Sequence, residues 1–191
     1  MIVAGTVTGK WQIIQSRTRE VLSLHHDSSE PVLTSKFSPD GSKLALLSRA
    51  AVHIYSVDVE SRPPVRRLGR CTTGQASQLT NGLDWNEDST HLAANTADRE
   101  RVVWILQGNL CRLVMDMETV RNMCWASSDC LISWDTLGVW GLGAEAEGAV
   151  STVTRSTAGD VLLAGMELGQ VSSFTYFYWS IPEIHTININ Q

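Results

Sequence analysis

The chain has 191 residues, of which 43% are hydrophobic and 18% charged, a balance that fits a globular protein with one respectable core rather than a disordered chain. A net charge of -5 and a pI near 5.5 argue against a nucleic-acid partner and against a basic arm for a membrane surface. No stretch reaches the roughly 20 apolar residues of a bilayer span, and residues 1–11 hold too short an apolar run for a secretory signal. A cytoplasmic location is the expectation.

Residues 1–26 read as the latter part of a repeat, with a strand over 10–14, a turn over 16–19 and an outer strand over 21–25. His25-His26-Asp27 invites a metal. Adjacent strand side chains point to opposite faces, however, and no third ligand accompanies the histidines, so the metal reading is set aside.

Residues 32–72 form the most complete unit, blade A. A β-rich run over 32–37 enters Ser38-Pro39-Asp40-Gly41, where Pro39 presets φ and Gly41 lets the chain reverse. Apolar residues over 43–47 give the second strand, and the alternation over 52–57 gives a half-buried third. After the Pro63-Pro64 loop, residues 66–71 supply a fourth. An antiparallel meander of about 40 residues has the period of a propeller blade.

The pattern recurs over 78–115, blade B, where Leu83-Asp84-Trp85 and the turn at Asp88-Ser89 overlay Lys36-Phe37 and the turn of blade A, aromatic on aromatic. Its third strand is expected over 102–106 and its fourth over 111–114. The period falters over 119–141, an irregular or degenerate blade with short strands at 120–125, 130–134 and 137–140. Residues 141–148, GLGAEAEG, read as a flexible acidic loop; a phosphate loop would need a following helix N-terminus and usually a lysine. Blade C covers 150–176, turning at Ala158-Gly159-Asp160, and 177–191 is a divergent tail.

The chemical inventory points away from catalysis. There is no nucleophile elbow, no zinc-protease helix and no nucleotide loop. Asp84 with Asp88, and Glu145 with Glu147, are carboxylate pairs in turns and are read as solvated surface. Cys71, Cys111, Cys124 and Cys130 lack a Cys-x-x-Cys spacing and are read as reduced packing residues. Trp85, Trp104 and Trp125 fall on inward strand positions and are assigned to the core, whereas Trp179 has no evident place. The chain is read as no enzyme, with no cofactor, no metal and no small-molecule substrate. Arg62, Arg66, Arg67 and Arg70 form one local basic cluster, read first as charge guarding an edge strand. Arg66 and Arg67 are the candidate binding residues, and the blade-end loops over 61–67 and 72–77 are the expected contact region.

The succession from Gly5-Thr6-Val7-Thr8-Gly9-Lys10-Trp11 through Thr80-Asn81-Gly82-Leu83-Asp84-Trp85, Asn95-Thr96-Ala97-Asp98-Arg99-Glu100, Trp125-Ala126-Ser127 and Leu137-Gly138-Val139-Trp140 resembles the echinoderm microtubule-associated protein-like family of WD-repeat proteins. The resemblance implies an all-β fold of antiparallel four-stranded blades of a WD-repeat β-propeller. This chain would supply about three blades and a partial one, as an incomplete, open propeller prone to self-association. It also implies a protein that binds tubulin and microtubules, located on the cytoskeleton. One departure stands out: blade B has Gly74-Gln75 where the family has Gly-His, so the histidine of the usual repeat network is missing. Two rival readings are a general protein-interaction scaffold without tubulin affinity and a ligand-binding or catalytic propeller.

Overall fold

The computed structural model describes residues 1–74, 76–133, 136, 150–158, 160–166, 169–175 and 183–188. Trp134, residues 137–140, the loop 141–148 and residues 177–181 with Trp179 lie outside the described residues.

Fifteen strands and one short helix are present among the described residues. A first sheet holds β1 (Ile2–Gly5), β2 (Lys10–Ile14) and β3 (Val21–His26). The second holds β4 (Thr34–Phe37), β5 (Lys43–Leu47), β6 (Val52–Val57) and β7 (Val65–Cys71). The third holds β8 (Leu79–Trp85), β9 (His91–Thr96), β10 (Arg101–Gln107) and β11 (Leu110–Leu113). The fourth holds β12 (Val150–Arg155), β13 (Val161–Met166), β14 (Gln170–Thr175) and β15 (Glu183–Asn188). Every sheet is an antiparallel meander of consecutive strands, the blade of a β-propeller. Two compact units divide the chain, residues 1–127 with the first three sheets and residues 128–191 with the fourth.

Within the first unit the sheets stack because their strands are apolar on both faces. On β5, Leu44 and Leu46 join Trp11, Ile13, Tyr55 and Val65 in the core between the first and second sheets. Ala45 and Leu47, one residue out of phase, join Val52, Ile54, Leu79, Leu83, Trp85 and Trp104 in the core between the second and third. The period of two along one strand therefore serves two cores. Trp85 and Trp104 are buried as the sequence suggested; Trp125 is half-buried, with the Arg101 guanidinium 4.3 Å above its ring.

One local device closes the first hairpin of three sheets. The residue after the first strand accepts a hydrogen bond from the backbone N–H five residues on: Ser38 from Lys43 at 2.9 Å, Asn86 from His91 at 2.7 Å, Ser156 from Val161 at 3.0 Å. The short polar side chain satisfies a donor that a tight turn would leave bare. In the second sheet the turn also needs Gly41, whose φ is 72°.

Four sequence expectations are corrected. Residues 120–125 are not a strand: α1 (Met117–Arg121) ends there, capped by Asp116, whose carboxylate accepts from the Glu118 N–H at 3.1 Å and from the Thr119 hydroxyl. Trp125 makes only an isolated bridge to Asn86. Cys71 and Cys111 are not reduced packing residues but a disulfide, with Cα atoms 5.2 Å apart. Their 40-residue separation is one blade period, which brings the outer strands β7 and β11 side by side. Asp84, read as a solvated turn carboxylate, is buried at 1% exposure on β8. The fourth sheet also draws its last strand from beyond residue 176, with β15 running antiparallel to β14 from Gln170↔Asn188 to Thr175↔Glu183.

Candidate interaction surface and the junctions that hold it

Arg66 and Arg67 lie in β7, the outer strand of the second sheet, rather than in a loop. Buried Val65 anchors the strand's start, and the Asp58 N–H to Pro64 carbonyl bond at 2.8 Å closes the hairpin that delivers it. The loop before it is held by Asp58, which accepts from the Glu60 N–H at 3.1 Å and the Ser61 hydroxyl at 2.5 Å, and these bonds lower its pKa.

The two arginines face opposite ways. Arg66 pairs with Ser56, on the side of Ile54 and Val52; Arg67 pairs with Tyr55, on the side of the first sheet. A bulge leaves Leu68 without a partner, so Arg70, opposite His53, falls on the same face as Arg67 instead of alternating away from it. Arg66, Arg67 and Arg70 are all exposed. The Arg67 guanidinium lies 3.0 Å from His53 Nδ1. Burial, then the charges of Arg67 and Arg70, lower the His53 pKa and keep the ring neutral, able to accept from arginine.

Behind this face, Asp27 fixes the loop that leaves the first sheet. It follows β3 directly and accepts from the Tyr55 hydroxyl at 2.6 Å and from Trp11 Nε1 at 3.1 Å, while Trp11 stacks on His25 at 4.2 Å between centroids. Burial pushes the Asp27 carboxyl up, but the hydrogen bonds from Tyr55 and Trp11 and the charges of His25 and Arg67 outweigh it and hold the group below its ordinary value. Burial, with the bond to the Asp27 carboxylate, raises the Tyr55 hydroxyl.

The next junction repeats the geometry with different chemistry. Thr72 follows β7 directly, and its carbonyl accepts from Trp104 Nε1 at 2.9 Å. In each case an aromatic on a sheet's third strand holds the loop entering that sheet. Gln75, where the sequence departs from the Gly-His pattern, lies outside the described residues.

Closer to the first strands, a polar set bridges the second and third sheets. Lys36 Nζ is 3.5 Å from Asp84 Oδ1 and donates to the Ser127 hydroxyl, which donates to Asp84 Oδ1 at 2.6 Å. Trp85 Nε1 donates to the Lys36 carbonyl at 3.2 Å. Sequence reasoning missed this set, since its members are 43 and 91 residues apart.

Four meander sheets, the first three stacked through shared cores with an aromatic anchor at each of the two loops between them, define a WD-repeat β-propeller segment. The chain belongs to the echinoderm microtubule-associated protein family: the family model described as the echinoderm microtubule-associated protein second beta-propeller matches residues 1–182. Echinoderm microtubule-associated protein-like 2 of Rattus norvegicus is 36% identical over 177 residues, covering 92% of this chain and 26% of that protein. Echinoderm microtubule-associated protein-like 1 of Mus musculus is 31% identical over 92% of this chain and 21% of its own length, and the 77 kDa echinoderm microtubule-associated protein of Strongylocentrotus purpuratus is 29% identical over 92% and 25%. The chain thus spans about a quarter of the length of these relatives. Among solved structures, the Myceliophteria thermophila Cps50 (Swd1) beta-propeller domain superposes with a TM-score of 0.54 at 16% identity, covering 92% of this chain and 50% of that one, and shares the fold.

Proposed function

We propose that this chain is a non-enzymatic microtubule-associated module that binds tubulin through the outer strand β7, with Arg66 and Arg67 as contact residues. The observation that carries the reading is the family match over residues 1–182. The relatives' names describe microtubule association, and β7 exposes Arg67 and Arg70 on one face and Arg66 on the other, positive side chains on a chain of net charge -5, suited to an acidic partner. A cytoplasmic, cytoskeletal location follows from the same reading. Blades A and B are proposed as residues 32–72 and 78–115, preceded by a partial blade over 1–26; blade C, expected over 150–176, takes in β15 as its fourth strand.

Co-sedimentation of the purified chain with polymerised tubulin tests it. The chain should enter the pellet in a saturable, salt-sensitive manner. Recovery in the supernatant at every tubulin concentration, together with failure to co-elute with soluble tubulin, would instead favour a general interaction scaffold.

A further inference from the structure

We propose that Cys111 is a thiol-exchange site and Cys71 its resolving partner, so that the covalent link between the second and third sheets is reversible. The pair joins two outer strands, with Cα atoms 5.2 Å apart. That separation lies in the range a disulfide spans without backbone movement. The two sulfurs differ in access. Cys71 is 0% exposed and belongs to the core between the sheets; Cys111 is half-buried on β11, a four-residue strand hydrogen-bonded only to β10. The backbones are close as well: a Cβ on Gly69 would sit 2.7 Å from the Asn109 carbonyl oxygen, so β7 and β11 are already in contact beside the sulfurs.

The exchange uses a low-molecular-weight disulfide as oxidant. The Cys111 thiolate attacks one sulfur, expelling one thiolate and leaving a mixed disulfide on Cys111. The Cys71 thiolate then attacks Cys111 Sγ and expels the second. Two protein thiols lose two protons and two electrons, and the small disulfide is reduced to two thiols. A dithiol reverses both steps. The link spans a separation of 40 residues that takes in β8, β9, β10 and the start of β11. Breaking it frees the outer strands of two blades while leaving their shared apolar core in place.

The test uses the reduced chain exposed to oxidised glutathione, quenched with iodoacetamide and read by peptide mass spectrometry. A cross-linked pair of peptides carrying Cys71 and Cys111 should form after a transient glutathione adduct on Cys111, and dithiothreitol should remove it. Reduction should lower the thermal midpoint by about 10 °C, an effect absent from Cys111→Ser. A stable adduct on Cys111, cross-links to Cys124 or Cys130, or Cys71 and Cys111 both alkylated after oxidation would overturn the proposal. So would an equal reductant effect on Cys111→Ser. The wild-type time course decides the matter even where a variant fails to fold.

Discussion

The Tyr55 hydroxyl donates to the Asp27 carboxylate at 2.6 Å, tying the third strand of one sheet to the loop that leaves the sheet before it. The relationship couples two ionisations. A neutral Tyr55 stabilises an ionised Asp27, and each holds the other in the form that folding needs.

Tyr55→Phe removes this bond while keeping the ring in its core. The loss should be about 1–2 kcal/mol, since the acceptor is charged but its carboxylate is largely solvated. Urea titration of wild type and variant reads it as a shift in midpoint at constant slope.

The same pair sets a pH signature. Asp27 has a folded pKa below its unfolded value near 3.8, so its contribution is complete above that pH and is lost as pH falls through the folded value. Tyr55 is raised above 10.0, so its contribution is complete below pH 10.0 and is lost as pH rises further. His53, lowered from 6.5, favours the fold above that pH and less as pH falls through its folded value. Stability measured against pH should therefore fall at both ends, and Tyr55→Phe should flatten both. A variant with an unchanged acid limb would break the assigned coupling.

Glycine positions give a graded series. Gly41→Ala meets open space and costs only the strain of φ 72°, about 1 kcal/mol. Gly69→Ala places a methyl 2.7 Å from the Asn109 carbonyl oxygen and should cost about 2 kcal/mol by forcing β7 from β11. Gly9→Ala combines φ 78° with overlap on the Ser28 carbonyl and should cost about 3 kcal/mol or more. Thermal midpoints should rank in that order.

The buried Asp84 makes a further case. Lys36→Met leaves the carboxylate without this cation and should cost about 2 kcal/mol; adding Asp84→Asn should recover part of that. A Lys36→Met variant as stable as the wild type would show that the pair is energetically silent.

Much of this architecture is legible in the sequence, and the exceptions have physical causes. Alternation over residues 52–57 and the Ser38 and Asp88-Ser89 turns reveal meanders, because period two and turn chemistry are local. The partners of Asp84 and Cys71 are not local. Each lies across a sheet boundary, at a separation that only the blade period hints at. The bulge at Leu68 is equally invisible, yet it decides that Arg70 shares a face with Arg67 while Arg66 does not. Helix α1 was signalled by Asp116, three residues before Thr119, and apolar residues nearby masked it.

Tubulin binding through β7 is tested most directly by charge reversal. Arg66→Glu/Arg67→Glu should keep the circular dichroism of the wild type, because both side chains are exposed and neither lies in a core, with a lowered melting midpoint from the lost Arg67–His53 bond and the reversed charge near Asp27. In microtubule co-sedimentation the wild type should pellet and the double variant should pellet at least about ten-fold more weakly, the loss expected when charges are reversed against an acidic partner. Equal pelleting of the two folded proteins would contradict the assignment of β7 as the contact.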